Sequence, residues 1–305
     1  MDRCAATRGR RVSQPMDAPV RLRYQVELTY QVRTAGADFI FNVQAARTPR
    51  QQVLWESLSL TQYVPLQEYC DPLSSGRFLR LRAFAGELVL RYEAQVELQH
   101  HRQHPADVQE IAICDLPGAV LPFLYPSRYC ESDKLNGFAM AQFGSLPQGH
   151  ARVKAICDWV QQHVRFTSGS SVGTTGAVDT LAQGRGVCRD CAHLMIALCR
   201  AVNIPARFAT GLDYGADPAL GPPDFHAYVE TYLGGRWYMF DPSGTAIPMG
   251  FVRLTSGRDA ADSAFASIFG DVAPVGQALW IRAEAGADGI VREPYRTPDA
   301  LSTSD

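Results

Sequence analysis

Three residues in the second half of the chain are of the types that nucleophilic catalysis requires. Cys188 offers a thiol, His226 offers a base that titrates near neutral pH, and Asp241 offers a carboxylate. A nucleophilic thiol needs a base to take its proton, and the base needs an acceptor that fixes its tautomer. These residues therefore predict a Cys–His–Asp catalytic triad, provided that the fold brings them together.

The segment that follows Cys188 is predicted to be a buried helix that begins at this cysteine. Cys191, Leu194 and Leu198 lie on one apolar stripe at helical spacing, and residues 203–205 end the pattern with a proline. At the start of a helix, unpaired backbone N–H groups and the positive end of the macrodipole favour a thiolate. The same N–H groups can stabilise an oxyanion at an attacked carbonyl.

The histidine and the aspartate are predicted to meet across a β-hairpin. The extended runs 225–233 and 236–241 flank Gly234-Gly235, which is typical of a two-residue hairpin turn. Counting back from such a turn makes His226 the diagonal neighbour of Asp241 on one face of the hairpin. Diagonal neighbours lie roughly 7–8 Å apart, within reach of long side chains.

The elements that precede these residues indicate a separate β-domain. The chain has 305 residues, 46% of them hydrophobic and 20% charged, which suits a globular protein of about two domains. From Leu22 to Val32 apolar and polar residues alternate at period two, as they do in a strand with one buried face. Further strands are expected over 38–45 and 51–63, and a hairpin over 77–84 and 87–98. The pattern predicts an antiparallel β-sandwich.

The predicted organisation is a disordered leader over 1–19, a β-domain over 20–104, a catalytic domain over 105–285 and a flexible tail over 286–305. The polar segment 100–105 is interpreted as a solvated linker at the domain boundary. Helices are expected over 148–164, from an N-cap at Thr175 through Ala182 with Gly184 after its end, and near 259–269. Strands are expected over 206–214 and near 278–282. The loops 167–175 and 212–223 are expected to determine substrate specificity.

The local sequences around the three predicted catalytic residues resemble the bacterial transglutaminase-like superfamily. The words that carry the resemblance are Gly186-Val187-Cys188-Arg189-Asp190-Cys191-Ala192-His193-Leu194, Asp224-Phe225-His226-Ala227-Tyr228-Val229-Glu230 and Trp237-Tyr238-Met239-Phe240-Asp241-Pro242-Ser243. The resemblance implies an α+β fold in which an N-terminal antiparallel β-sandwich precedes a papain-like core. In that core a nucleophile helix packs on an antiparallel sheet.

The resemblance also implies a reaction. Cys188 would attack an amide carbonyl of a protein or peptide and form a thioester acyl-enzyme, with His226 as base and Asp241 as its orienting group. Either water or an amine could accept the acyl group, and no cofactor is required.

Two other functions compete with this hypothesis. Cys191 stands where the family usually has an aromatic residue, and the resulting Cys-x-x-Cys would suit a thiol oxidoreductase. That class needs a strand directly before the motif, whereas a Thr/Gly-rich loop and a short helix are expected there. The alternative is an inactive protein-binding module of the same fold.

Composition and cysteine usage exclude several partners. The formal net charge is −2, so no basic field exists to recruit nucleic acid or an anionic membrane. The histidines at 100, 101 and 104 lack nearby partners at metal-ligand spacing.

The basic N-terminus has no apolar core of a signal peptide, and the eight scattered cysteines do not form a disulfide framework. A cytoplasmic location is expected.

Overall fold

The computed structural model describes residues 18–33, 36–72, 74–212, 214–215 and 223–304. Its strands are β1 (Val20–Val32), β2 (Ala37–Phe41), β3 (Gln51–Leu60), β4 (Gln67–Cys70), β5 (Arg77–Ala83), β6 (Gly86–Leu98), β7 (His101–Gln103), β8 (Arg165–Phe166), β9 (Arg185–Gly186), β10 (Ala206–Leu212), β11 (Phe225–Leu233), β12 (Arg236–Phe240), β13 (Arg253–Gly257), β14 (Ala266–Phe269), β15 (Val272–Glu284) and β16 (Ala300–Ser302). The α-helices within these ranges are α1 (Ser132–Phe143), α2 (His150–His163), α3 (Ala177–Gln183) and α4 (Cys188–Ala201).

The first domain is a β-sandwich of two antiparallel sheets. One sheet has the strand order β15-β1-β6-β3 and the other has the order β14-β2-β5-β4. Alternate side chains of β1 are buried because successive residues of a strand point to opposite faces. Tyr24 and Val26 of β1 share one core with Phe41 of β2 and Leu79 of β5. The predicted antiparallel sandwich is therefore confirmed.

The strands predicted as a hairpin over 77–84 and 87–98 are present as β5 and β6, but they do not pair. β5 lies between β2 and β4, whereas β6 lies between β1 and β3. The turn at Ala85 and Gly86, whose φ is 117°, carries the chain from one sheet to the other. A short glycine turn serves both connections, so the local sequence does not distinguish a hairpin from a crossing between sheets.

The second domain packs a buried helix against a four-stranded antiparallel sheet. The sheet has the order β12-β11-β10-β13. Leu194 and Leu198 of α4 share a core with Phe208 and Val229 on one face of this sheet. Tyr228, on the opposite face, joins the core of the sandwich. The predicted nucleophile helix, its start at Cys188 and the sheet beneath it are thus present.

The C-terminal strands correct the predicted domain boundary. The helix expected near 259–269 is replaced by turns and by β14, which pairs with β2. β15 pairs with β1 along twelve residues of that strand, from Arg21 to Val32. Residues 266–284 therefore belong to the sandwich and not to a catalytic domain over 105–285. The predicted boundary is wrong because β14 and β15 are edge strands of the two sheets of the sandwich, although they lie far from the other strands in sequence.

The expected flexible tail and solvated linker also take part in the fold. β16, within 286–305, is buried and pairs with β7, within the segment 100–105. The carbonyl oxygen of Thr303 accepts a hydrogen bond from the Thr48 hydroxyl at 2.8 Å. Because these backbone and side-chain partners are distant in sequence, the polar composition of both segments was misleading.

The short helix α3 begins one residue later than predicted. Its N-cap is Gly176 and not Thr175, because the Asp179 carboxylate accepts the Gly176 N–H at 3.0 Å. Gly184 ends α3 in the left-handed conformation, with φ of 60°, as its position predicts.

Gly211 occupies a position in the sheet of the second domain that cannot hold a side chain. It pairs with His226, and an added Cβ would lie 2.1 Å from Cε2 of Phe251 and 2.5 Å from the backbone oxygen of Val252. Because that oxygen belongs to the backbone, we expect Gly211→Ala to lower the free energy of unfolding by about 1–3 kcal/mol. Urea denaturation measures this change.

Gly137 of α1 provides the matched control. An added Cβ there meets no atom within 4 Å, so Gly137→Ala is expected to leave stability unchanged or to raise it slightly. Equal urea midpoints for the two variants would contradict the close packing at Gly211.

No helix in the described ranges is long and apolar enough to cross a membrane. The leader predicted over 1–19 and the loop predicted over 212–223 fall mostly outside the described residues.

Candidate active site

Cys188 is the first residue of α4, and its side chain is partly exposed. Val187, directly before it, has an extended backbone with φ of −104° and ψ of 178°. The Asp190 carboxylate closes the first turn of the helix by accepting the Val187 N–H at 2.9 Å. The thiol therefore lies at the helix end where free backbone N–H groups and the positive end of the macrodipole are found.

His226 and Asp241 make the contact that the predicted hairpin requires. The imidazole Nε2 lies 3.1 Å from Oδ1 of the carboxylate. The Cys188 thiol lies close enough to the imidazole to contribute to the raised pKa of His226. β11 and β12 pair Leu233 with Arg236 across the two-residue turn, which is the register that the sequence predicts. The structure thus brings His226 and Asp241 into contact and places Cys188 near the imidazole.

The surroundings of the imidazole favour its charged form. His226 is only 4% exposed, and burial by itself would lower its pKa. The Asp241 carboxylate and Cys188 nevertheless raise the pKa of His226 well above its ordinary value. Burial also opposes the charge on Asp241, yet His226 and Ser243 hold the pKa of this carboxyl below its ordinary value. The arrangement therefore favours an imidazolium at His226 beside an ionised Asp241.

The Asp241 carboxylate is held by donors that sequence reasoning missed. Oδ1 accepts the Ser243 N–H at 3.1 Å and the Ser243 hydroxyl at 2.6 Å, and Oδ2 accepts the Ala246 N–H at 2.8 Å. The Gln161 side chain of α2 donates to the backbone oxygen of Asp241 at 2.7 Å. The Asp-Pro-Ser sequence carried a signal for the first of these bonds, because aspartate accepts the N–H two residues later in an Asx turn.

The loop 167–175 is anchored beside the first turn of α4, which begins at Cys188. The Ser171 hydroxyl donates to the Asp190 carboxylate at 2.8 Å, and the Arg189 guanidinium donates to the Ser171 hydroxyl at 2.5 Å. Since Asp190 is 1% exposed, these bonds attach the loop to the first turn of α4. The loop therefore lies next to the first turn of α4, and its role in substrate specificity stays a prediction.

Cys191 does not compete with Cys188 for the role of nucleophile. Cys191 is 1% exposed, and burial together with the neighbouring Cys188 raises its pKa well above the ordinary value. Such a thiol stays protonated and unreactive.

The sequence predicts that no strand directly precedes the Cys-x-x-Cys motif, and this prediction is wrong, because β9 lies there. It pairs with β8 in parallel, although each strand has only two residues.

The other histidines singled out by the sequence have local structural contacts. His193 of α4 is fully buried and stacks on Tyr129 with ring centroids 4.9 Å apart. Its Nε2 accepts the Ala260 N–H at 3.2 Å. His101 lies in β7, and His104 Nδ1 accepts the N–H of Ala106 at 3.3 Å. These contacts account for the positions of the His193 and His104 rings without a role in the candidate site.

Comparison with known proteins identifies two family models along the chain. The model of the transglutaminase-like superfamily matches residues 139–242, a range that contains Cys188, His226 and Asp241. The model of the bacterial transglutaminase N-terminal domain matches residues 20–119.

Two individual proteins illustrate the similarity. A solved structure of a provisionally assigned cysteine protease from Cytophaga hutchinsonii is 38% identical to the chain and aligns with a TM-score of 0.85. The alignment covers 93% of this chain and 97% of that one. An uncharacterized protein of Mycobacterium leprae is 31% identical over 163 residues, which is 52% of this chain. The matched part spans 57% of the length of that relative.

Proposed function

This chain belongs to the transglutaminase-like superfamily, and on that premise we propose that it is a thiol-dependent hydrolase or acyltransferase of amide and peptide bonds. Its substrate is a protein or a peptide, and its catalytic groups are Cys188, His226 and Asp241. The observation that carries this proposal is the 3.1 Å contact between Nε2 of His226 and Oδ1 of Asp241, with the Cys188 thiol close enough to the imidazole to raise its pKa.

The proposed reaction begins with proton transfer from the Cys188 thiol to the imidazole of His226. The thiolate attacks the amide carbonyl, and backbone N–H groups at the start of α4 stabilise the oxyanion. His226 then returns the proton to the leaving amine as the carbon–nitrogen bond breaks, which leaves a thioester on Cys188. Asp241 keeps a proton on Nε2, so that Nδ1 is the ring nitrogen available to the thiol.

The second half of the reaction releases the acyl group. Water attacking the thioester gives a carboxylic acid, so the enzyme acts as a hydrolase. A primary amine attacking instead gives a new amide, so it acts as an acyltransferase. In both cases His226 takes a proton from the attacking group, and the Cys188 thiol is restored. None of these steps needs a cofactor.

A glutaminyl peptide, tested with and without a primary amine, distinguishes these acceptors. We expect ammonia release in both reactions; mass spectrometry of the peptide then shows whether water or the amine was added. The Cys188→Ser variant is the control and is expected to lose this activity. Equal ammonia release by the variant and the wild type would contradict the proposal.

The alternative of an inactive binding module predicts a different chemical behaviour. In that case the thiol of Cys188 would react no faster with an alkylating agent than any other accessible cysteine. The partly exposed position of Cys188 beside a base favours the enzyme instead.

We also propose a cytoplasmic location. All seven cysteines in the described ranges are free thiols, four of them fully buried, which suits a reducing compartment. Fractionation of cells that produce the untagged protein tests this, and recovery outside the cytoplasm would overturn it.

A further inference from the structure

We propose that Ser243 is a positioning residue of the active site, whose hydroxyl, backed by that of Thr245, sets how strongly Asp241 holds the imidazole of His226. This inference rests on the proposed function and adds to it a control over the acid strength of the catalytic histidine.

The geometry places the Ser243 hydroxyl at the junction of the carboxylate and the imidazole. Its oxygen lies 2.6 Å from Oδ1 of Asp241 and 3.4 Å from Nε2 of His226. The serine proton must point to the carboxylate oxygen, which has no proton to offer. Oδ1 therefore receives hydrogen bonds from the imidazole, the Ser243 hydroxyl and the Ser243 backbone N–H.

Thr245 fixes the orientation of that hydroxyl. Its Oγ1 lies 2.8 Å from the Ser243 oxygen, and its backbone N–H lies 3.3 Å from it. Since the only proton of the Ser243 hydroxyl goes to Asp241, the Thr245 hydroxyl is the donor in the bond between them. The result is a hydrogen-bond chain from Thr245 through Ser243 and Asp241 to His226.

Such a chain changes the basicity of the carboxylate. Each donor to Oδ1 stabilises the ionised form, and Ser243 is one of the groups that hold the pKa of Asp241 down. Without this hydroxyl the carboxylate becomes more basic and stabilises the imidazolium more strongly. His226 then releases its proton less readily to the leaving amine, so the reaction slows.

Other charged or titratable groups also surround the carboxylate, so their contribution must be constant in any test. They are His226 from β11, Cys188 and Cys191 from α4, Cys157, His150 and Lys154 from α2, and Tyr295, Arg296 and Asp299, which line the neighbouring cavity. Arg296 donates to the Gly244 oxygen at 2.9 Å. None of these side chains is altered by a substitution at Ser243 or Thr245.

The experiment compares wild type, Ser243→Ala, Ser243→Thr and Thr245→Val by the pH dependence of iodoacetamide alkylation at Cys188. For Ser243→Ala we expect the alkaline transition, at which the imidazolium loses its proton, to move to higher pH. Turnover of an amide substrate should fall about 10-fold in kcat, the scale of one hydrogen bond to a charged group, with KM little changed.

The remaining variants separate positioning from a loss of packing. Ser243→Thr keeps the hydroxyl and is expected to restore the wild-type profile, and Thr245→Val should give a smaller shift in the same direction. Ser263→Ala removes a buried hydroxyl that donates to the Asp259 backbone oxygen at 2.9 Å, and should leave the profile unchanged.

Two results would overturn the inference, and they are distinguishable. If Ser243→Ala gives the same pH profile as the wild type, Ser243 has no positioning role although the proposed triad stands. If Cys188 of the wild type alkylates no faster than the exposed Cys70 and Cys114 at any pH, both the triad and this inference fail.

Discussion

Replacing His226 by alanine is expected to lower kcat for an amide substrate by about 100- to 10,000-fold, the range that a general acid–base contributes. The imidazole lies 3.1 Å from the Asp241 carboxylate, and its pKa is raised by the nearby Cys188 thiol. Without it the thiol loses its base and the leaving amine loses its acid. The measurement is the initial rate of peptide hydrolysis or amine incorporation at neutral pH.

Two further variants test the same mechanism, one at the carboxylate and one as a control. Asp241→Asn keeps the size of the side chain but removes the charge that stabilises the imidazolium, so a large loss of kcat is expected there too. His104→Ala, at an exposed histidine far along the chain, is the control and should retain full activity. Retention of more than half of the activity by His226→Ala, with the urea midpoint unchanged, would remove this histidine from the mechanism.

Replacing Glu230 by alanine is expected to lower the free energy of unfolding by about 3–5 kcal/mol, because it leaves buried positive charge without a partner. Glu230 is fully buried in β11 and accepts hydrogen bonds from Arg207 and Arg253, each at 2.7 Å. Arg253 is 1% exposed, and Arg207 lies over the ring of Trp237 at 4.2 Å. Both guanidinium groups are therefore largely withdrawn from water, and Arg253 almost completely so.

The pH dependence of this effect has a definite sign. Burial opposes the charge on Glu230, but Arg253 and Arg207 lower its pKa to about 2. An unfolded glutamate titrates near 4.3, so the stabilisation is fully present above that pH. It is lost as the pH falls from about 4 towards 2.

Urea midpoints measured at neutral and acid pH test both statements. The difference between wild type and Glu230→Ala should be largest at neutral pH and should shrink below about pH 4. Glu27→Ala is the matched control, since Glu27 pairs with the exposed Arg91 and should shift the midpoint little. A difference that grows towards acid pH would contradict the ion-pair account.

The candidate site was predictable because local rules determine its parts. The Gly234-Gly235 turn fixes the register of β11 and β12, and strand alternation then places His226 and Asp241 on one face. The apolar stripe after Cys188 predicts a buried helix whose first residue is the cysteine. Both inferences use spacing within about twenty residues, where sequence patterns are informative.

The parts that could not be predicted depend on partners that lie far away in sequence. Arg21 of β1 pairs with Glu284 of β15 across the sheet, and no local sequence pattern predicts such a pairing. By their spacing alone, the apolar residues of 259–269 are compatible with a helix. Residues 266–269 instead form β14, because they pair with the edge of β2. The helix α1 was not predicted either, because its apolar residues do not form a strong stripe.

The donors around Asp241 were missed for a related reason. The Ala246 N–H is a backbone group, and the identity of the residue gives no sign of its role. Gln161 lies on another element, 80 positions earlier, and reaches the Asp241 backbone oxygen only in the folded chain. A single sequence indicates candidate catalytic groups by their chemistry, but it does not indicate the neutral groups that hold them in place.

The most direct test of the account is the rate at which iodoacetamide alkylates each cysteine as a function of pH, with the modified residues located by mass spectrometry. Cys70 and Cys114 are exposed and serve as internal references in the same sample. We predict that Cys188 reacts faster than both below about pH 7, and that His226→Ala abolishes this advantage. If Cys188 reacts no faster than the two references at any pH, the thiolate–imidazolium pair does not exist and the proposed mechanism is wrong.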